Sequence, residues 1–175
     1  VILNNSISLL EYKLADGIQK IKRQTRQVVA FTSGQGELNP LQTASLENDL
    51  SNSYAVNRIN LDSIVQIPSE IKVLIIAKPT EEFSEAHLFM LDQYIMNGGH
   101  VMFLIDPLIV SLDSINQNKS YIPPPYNLGL DPLLFKLGAR VNPNLVLDLQ
   151  CTRIPMVVGM QGDKPQTELF PWYYH

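Results

Sequence analysis

Residues 72–107 read KVLIIAKPTEEFSEAHLFMLDQYIMNGGHVMFLIDP, and this stretch decides the fold. It opens on KVLIIAKP (72–79), whose centre is nearly all apolar, as a central strand buried on both faces of a parallel sheet would be. A helix is predicted next. Ser84 is its N-cap, and Phe83 before the cap and Leu88 after it have the spacing of a hydrophobic staple. Leu88, Leu91 and Ile95 form its buried stripe, and Gly98 and Gly99 stop it, because glycine enters the left-handed turn without steric cost. HVMFLIDP (100–107) then reads as another buried strand, ending at Asp106-Pro107. The whole stretch is one strand–helix–strand unit.

The same alternation extends upstream. QVVAFTS (27–33) is a continuous apolar run that reads as a first strand, and it opens into SGQGEL (33–38). Asn39-Pro40 supplies a cap followed by proline at the first helical position, and the helix is expected to run to about Ser53, burying Leu46 and Leu50. YAVNRINL (54–61) is a more polar strand, suited to a sheet edge. Residues 7–22 place Leu10, Leu14, Ile18 and Ile21 at helical spacing, which predicts one stripe facing a core. Lys20, Lys22, Arg23 and Arg26 crowd the end of that helix, where its dipole favours positive charge.

Downstream, residues 111–128 are polar and carry Pro123, Pro124 and Pro125 in a row, the signature of a long exposed loop. Asp131-Pro132 starts a short helix, LLFKL, stopped by Gly138. NLVLDL (144–149) and IPMVVGMQ (154–161) read as strands, with GDKP as a turn. Strands alternating with helices imply a three-layer α/β fold with a mostly parallel sheet. The expected organisation is a leading helix over 1–26, the sheet domain over 27–150, and a C-terminal strand and tail over 151–175.

The composition agrees with a folded domain. The chain has 175 residues, 45% of them hydrophobic and 17% charged, which supplies a real core. A net charge of −4 argues against general nucleic-acid binding. Cys151 is the sole cysteine, so neither an internal disulfide nor a cysteine zinc cluster is possible. No apolar run approaches membrane-spanning length, and no leader pattern is present. The chain reads as a piece of a longer protein that continues beyond its C-terminal tail.

Chemistry is sparse. SGQGEL lacks the Lys-Ser/Thr of a phosphate loop, and Asn39 stands where a dinucleotide fingerprint needs its third glycine. In an open parallel sheet, loops at the carboxyl ends of the strands line the ligand crevice. That rule gathers Gly34, Gln35, Glu37, Lys78 and Asp106 on one edge as a candidate ligand site. Glu37 and Asp106 facing each other would suit acid–base hydrolysis. The alternative is local pairing, Glu37 with a cation such as Lys78 and Asp106 capping a loop. No nucleophile elbow is present, and neither His87 nor His100 has a second ligand at metal spacing. No catalytic residue, metal or cofactor is expected. Tyr121, Tyr126, Trp172, Tyr173 and Tyr174 are the candidate partner contacts.

Several stretches together carry a resemblance: EYKLADGIQK (11–20), SGQGEL (33–38), residues 73–106, LLFKLGARVNPNLVLDLQC (133–151) and FPWYYH (170–175). They resemble the GldG-like, gliding-associated auxiliary proteins of Bacteroidota, within the family of ABC-type uncharacterised transport system proteins. LDQYIMNGG followed by a strand and an aspartate is the most specific part. The resemblance implies a flavodoxin-like or class I glutamine-amidotransferase-like α/β fold, with related domains in intraflagellar transport proteins. It implies a membrane-anchored parent with this region on the periplasmic side of the bacterial inner membrane, working with an ABC permease and a cytoplasmic ATPase. It implies no catalytic residues. Two positions depart from the expected pattern: Gln35 stands where a histidine is expected, and Leu137 where an aromatic is expected before Gly138.

Overall fold

A computed structural model describes residues 10–22, 25–110, 122–162 and 164–173. They divide into two compact units, one within residues 1–106 and 126–140, the other within 107–125 and 141–175.

The first unit is built on a four-stranded parallel sheet: β1 (Val28–Ser33), β2 (Ala55–Asn60), β3 (Ile71–Ala77) and β4 (His100–Leu104), in the order β2-β1-β3-β4. Parallel neighbours need crossovers. Helix α2 (Pro40–Ser51) joins β1 to β2, and α3 (Glu85–Met96) joins β3 to β4. The two crossovers run in opposite directions from the sheet centre, so crossovers of one hand put their helices on opposite faces. The packing shows this. Ala30, Leu74 and Ile76 pack with Leu91 and Tyr94 of α3. Val29, Phe31, Ile75 and Ala77 pack on the other face with Leu50 of α2. A short helix α4 (Asp131–Lys136) adds Leu133 and Leu134 to the α3 side, as do Leu61 and Ile67 from the β2–β3 connection. The three-layer α/β expectation holds.

The local signals hold as well. Asn39 caps α2 with its side chain, in a capping box with Gln42. Ser84 caps α3 in the same way with His87. Gly98, at φ +86°, ends α3.

Some burial expectations fail. Leu46 is exposed rather than buried, since α2 meets the sheet through Leu50. Strand β4 is half-buried: Val101 and Phe103 pack inward, while Met102 and Leu104 stand 50% and 40% exposed. It is an edge strand, and among the described residues no helix covers its second face. In helix α1 (Leu10–Lys22), Leu10, Leu14, Ile18 and Ile21 are exposed rather than packed on a core of the described residues.

The second unit centres on an antiparallel hairpin, β5 (Arg153–Gln161) and β6 (Lys164–Pro171). The chain reverses between Gln161 and Lys164, where a turn was expected, with Gly162 at φ +62°. Residues 144–149 form no strand. Instead Asp148 N–H donates to the carbonyl of Tyr173 at 2.7 Å. Strand β6 had no clear sequence signal, because prolines flank a largely polar run.

Candidate functional site

The sheet order places a topological switch point between β1 and β3, where the chain leaves toward β2 on one side and β4 on the other. The loop after β1 lies there, and it is fastened to the chain around it. The Gln35 carbonyl accepts from the N–H groups of Thr80 and Glu81, each at 3.0 Å. Leu38 N–H donates to Ala77 at 3.0 Å, and the Thr80 hydroxyl donates to the carbonyl of Gly36 at 3.1 Å. Both glycines have positive φ, +119° at Gly34 and +68° at Gly36. A Cβ on Gly34 would stand 2.7 Å from Oδ2 of Asp62. The glycines are there because the loop lies flat against its neighbours.

Each sequence-predicted residue has a place. Gln35 is 3% exposed, and its Nε2 donates to Asp62 Oδ2 at 3.3 Å. Glu37 Oε2 accepts from the Gln35 backbone N–H at 2.7 Å. Lys78, a non-glycine residue at φ +52°, pairs with Asp106 at 3.0 Å. Neither expected local pairing is seen: Lys78 pairs with Asp106 rather than with Glu37, whose Oε2 is held by the Gln35 N–H. Gln35 Oε1 and Glu37 Oε1 are both buried with no hydrogen-bond partner among the described residues.

Three further residues complete the edge: Asn60 and Asp62, which the sequence did not single out, and His87, weighed there only as a metal ligand. His87 Nδ1 accepts from the Ser84 N–H at 3.4 Å, which leaves the proton on Nε2, 3.0 Å from Asp62 Oδ1. Asn60 Oδ1 accepts from the Asp62 N–H at 2.8 Å. A relay of Gln35, Asp62 and His87 thus links β1, the β2–β3 connection and α3. The two links to the Asp62 carboxylate were not legible locally, because Gln35 lies 27 positions from it and His87 lies 25.

Next to this edge, Arg58 of β2 donates to the Leu38 carbonyl at 2.9 Å and to the Thr43 hydroxyl at 2.8 Å, pairs with Glu47, and lies over the Phe31 ring. The Thr43 hydroxyl, then Arg58, hold the Glu47 carboxyl below its ordinary 4.5, against the opposing effect of desolvation.

Of the candidate partner contacts, Tyr126 is half-buried against the first unit's core, Trp172 is half-buried and Tyr173 is 39% exposed. Tyr121 and Tyr174 lie outside the described residues. Cys151 is a free thiol of intermediate exposure. Among the described residues, no cluster of three or more His, Cys, Asp or Glu is placed to hold a metal, and no helix is long and apolar enough to cross a membrane.

The family model for ABC-type uncharacterized transport systems, an auxiliary transporter family, matches residues 26–175. The chain belongs to this family. Membership implies an auxiliary part in an ABC-type transport system. Among solved structures, the family member is similar to the "mmIFT52 N-terminal domain", at 17% identity and a TM-score of 0.51. That match covers 84% of this chain and 66% of that one, and it shows the shared fold. No curated protein sequence matches the chain.

Proposed function

We propose that this family member is a non-enzymatic accessory domain, on the periplasmic side of the inner membrane, that contacts the permease or other envelope partners of a gliding-linked ABC-type system. Family membership supports the transporter setting. The observation that carries the contact reading is the β5–β6 hairpin. Pro155 lies opposite Leu169, Val157 opposite Thr167, and Met160 opposite Pro165, and residues opposite each other share a face. That face is open and mainly apolar, with Arg153 at its end beside Pro171 and with Val157, Met160 and Leu169 each more than 60% exposed. Soluble surfaces seldom leave such a strip bare without a partner. Pro155, Pro165 and Pro171 also remove N–H donors, which blunts the hairpin against pairing through its edges. Contact is therefore made through the face.

The test is affinity capture of the full-length protein from detergent-solubilised membranes, with bound proteins identified by mass spectrometry. A permease and an ATPase are expected in stoichiometric amounts, and Val157→Ser with Leu169→Ser should reduce both. A preparation that carries no transporter component overturns the reading.

A second reading has its own observation. The buried, unpartnered oxygens of Gln35 and Glu37 call for a donor, which suits a small-ligand or glycan site at the switch point. A saturable rise in melting temperature with ligand, lost in Gln35→Leu, would support it.

A further inference from the structure

The edge of the sheet opposite the switch point carries a feature of its own. A cavity of about 260 Å³ lies at the start of β3 and the C-terminal end of α3. Its apolar floor is Ile67, Met90 and Tyr94. Tyr94 is fixed there: its hydroxyl donates to the Ile71 carbonyl at 3.0 Å, and its ring lies so close to Gly99 that a Cβ would come within 2.3 Å. Around the floor stand Gln66, Ser69, Lys72, Gln93 and Asn97. Gln93 of α3 and Asn97, its C-cap, are four positions apart, so they stand on one side of the helix end. Among the described residues, none of these five side chains has a hydrogen bond or ion pair with the chain.

From this we propose that the cavity is a binding site for a neutral sugar ring. Each amide side chain offers a carbonyl acceptor beside N–H donors, which matches a pair of adjacent hydroxyls that both give and accept. Three amides and a serine around an apolar floor suit a ring with hydroxyls at its rim and C–H groups on its face. The volume sits just below the usual range for drug-sized ligands, which fits a single ring rather than a chain. The electrostatics do not call for an anion. Lys72 is the only cation lining the cavity, and the C-terminal end of α3 presents carbonyls, which attract donors and repel phosphate or carboxylate. The ring is either a free sugar or the end residue of a glycan.

The test is a backbone-amide chemical-shift titration of the 175-residue chain with glucose, galactose, N-acetylglucosamine, glucose 6-phosphate and a malto-oligosaccharide. Saturable shifts over residues 66–72 and 93–99, with a Kd of about 1–10 mM, support the site. Tighter binding of the oligosaccharide than of any free sugar identifies a glycan end, and equal binding identifies a free sugar. Gln93→Ala with Asn97→Ala should weaken binding roughly tenfold or more. Gln66→Ala, on the connecting loop, repeats the test if the helix pair lowers the melting temperature. No saturable shift with any sugar overturns the proposal, as do shifts confined to residues 33–38, binding unchanged in both variants, or preference for the phosphate.

Discussion

Gly36 has φ +68°, and a Cβ there would stand 2.0 Å from the Thr80 hydroxyl oxygen that holds the loop shut. Alanine would meet both a left-handed backbone and a β-branched neighbour with little room to retreat. Gly36→Ala should therefore lower the unfolding free energy by about 2–4 kcal/mol, measured by urea denaturation. Gly17, within α1, has nothing within 4 Å of its missing Cβ, and Gly17→Ala should leave urea stability unchanged or raise it slightly. Glu47 yields a pH prediction. Its folded pKa lies below the ordinary 4.5 because Thr43 and then Arg58 stabilise the carboxylate. The stability it adds is fully present above the unfolded value and is lost as pH falls through the folded one. Glu47→Gln should thus cost stability near neutral pH, by well under about 1 kcal/mol for a partly exposed pair, and the cost should vanish in acid. A cost that persists unchanged at low pH would mean that the ion pair plays no part.

At the scale of elements, β5–β6 contrasts with the central strands. A two-stranded hairpin is marginal on its own, and here nearly every residue of both strands is exposed. Amides of β5 and β6 should exchange with solvent faster than those of β1 and β3 by about two orders of magnitude or more, read by native-state hydrogen exchange. Equal protection would mean that the hairpin opens only with the whole molecule. The same contrast explains what the sequence revealed. The strand–helix–strand unit at 72–107 was legible because its signals are local: the Ser84 cap, the Gly98 stop and the run of buried residues in β3. The C-terminal-end rule likewise brought Gln35, Glu37, Lys78 and Asp106 to one edge. What was missed depends on distant neighbours. Met102 and Leu104 look like core residues in HVMFL, yet no helix among the described residues covers them and they stand exposed. Asp62 and His87 are ordinary polar residues until the fold sets them 3.0 Å apart.

For the whole molecule, the question is which residues the sheet needs in order to stand. Every residue of the two buried clusters lies within 1–106 or 126–140, and none comes from the hairpin unit. Yet the chain reaches α4 only after leaving that unit's boundary at Asp106 and returning at Tyr126. The segment after the return supplies Leu128, Leu130, Leu133 and Leu134, all buried beneath the same face as α3. A truncation after Arg140 should therefore keep a cooperative urea transition with nearly the midpoint of the full chain. A truncation after Asp106 removes four buried leucines, worth on the order of 6–12 kcal/mol of burial. Set against a net stability of about 5–15 kcal/mol for a typical domain, that loss should abolish the cooperative transition. Circular dichroism of both fragments through a urea series decides the point. If the shorter fragment still unfolds cooperatively, the four-stranded sheet is self-sufficient with α2 and α3 alone, and α4 belongs to the periphery.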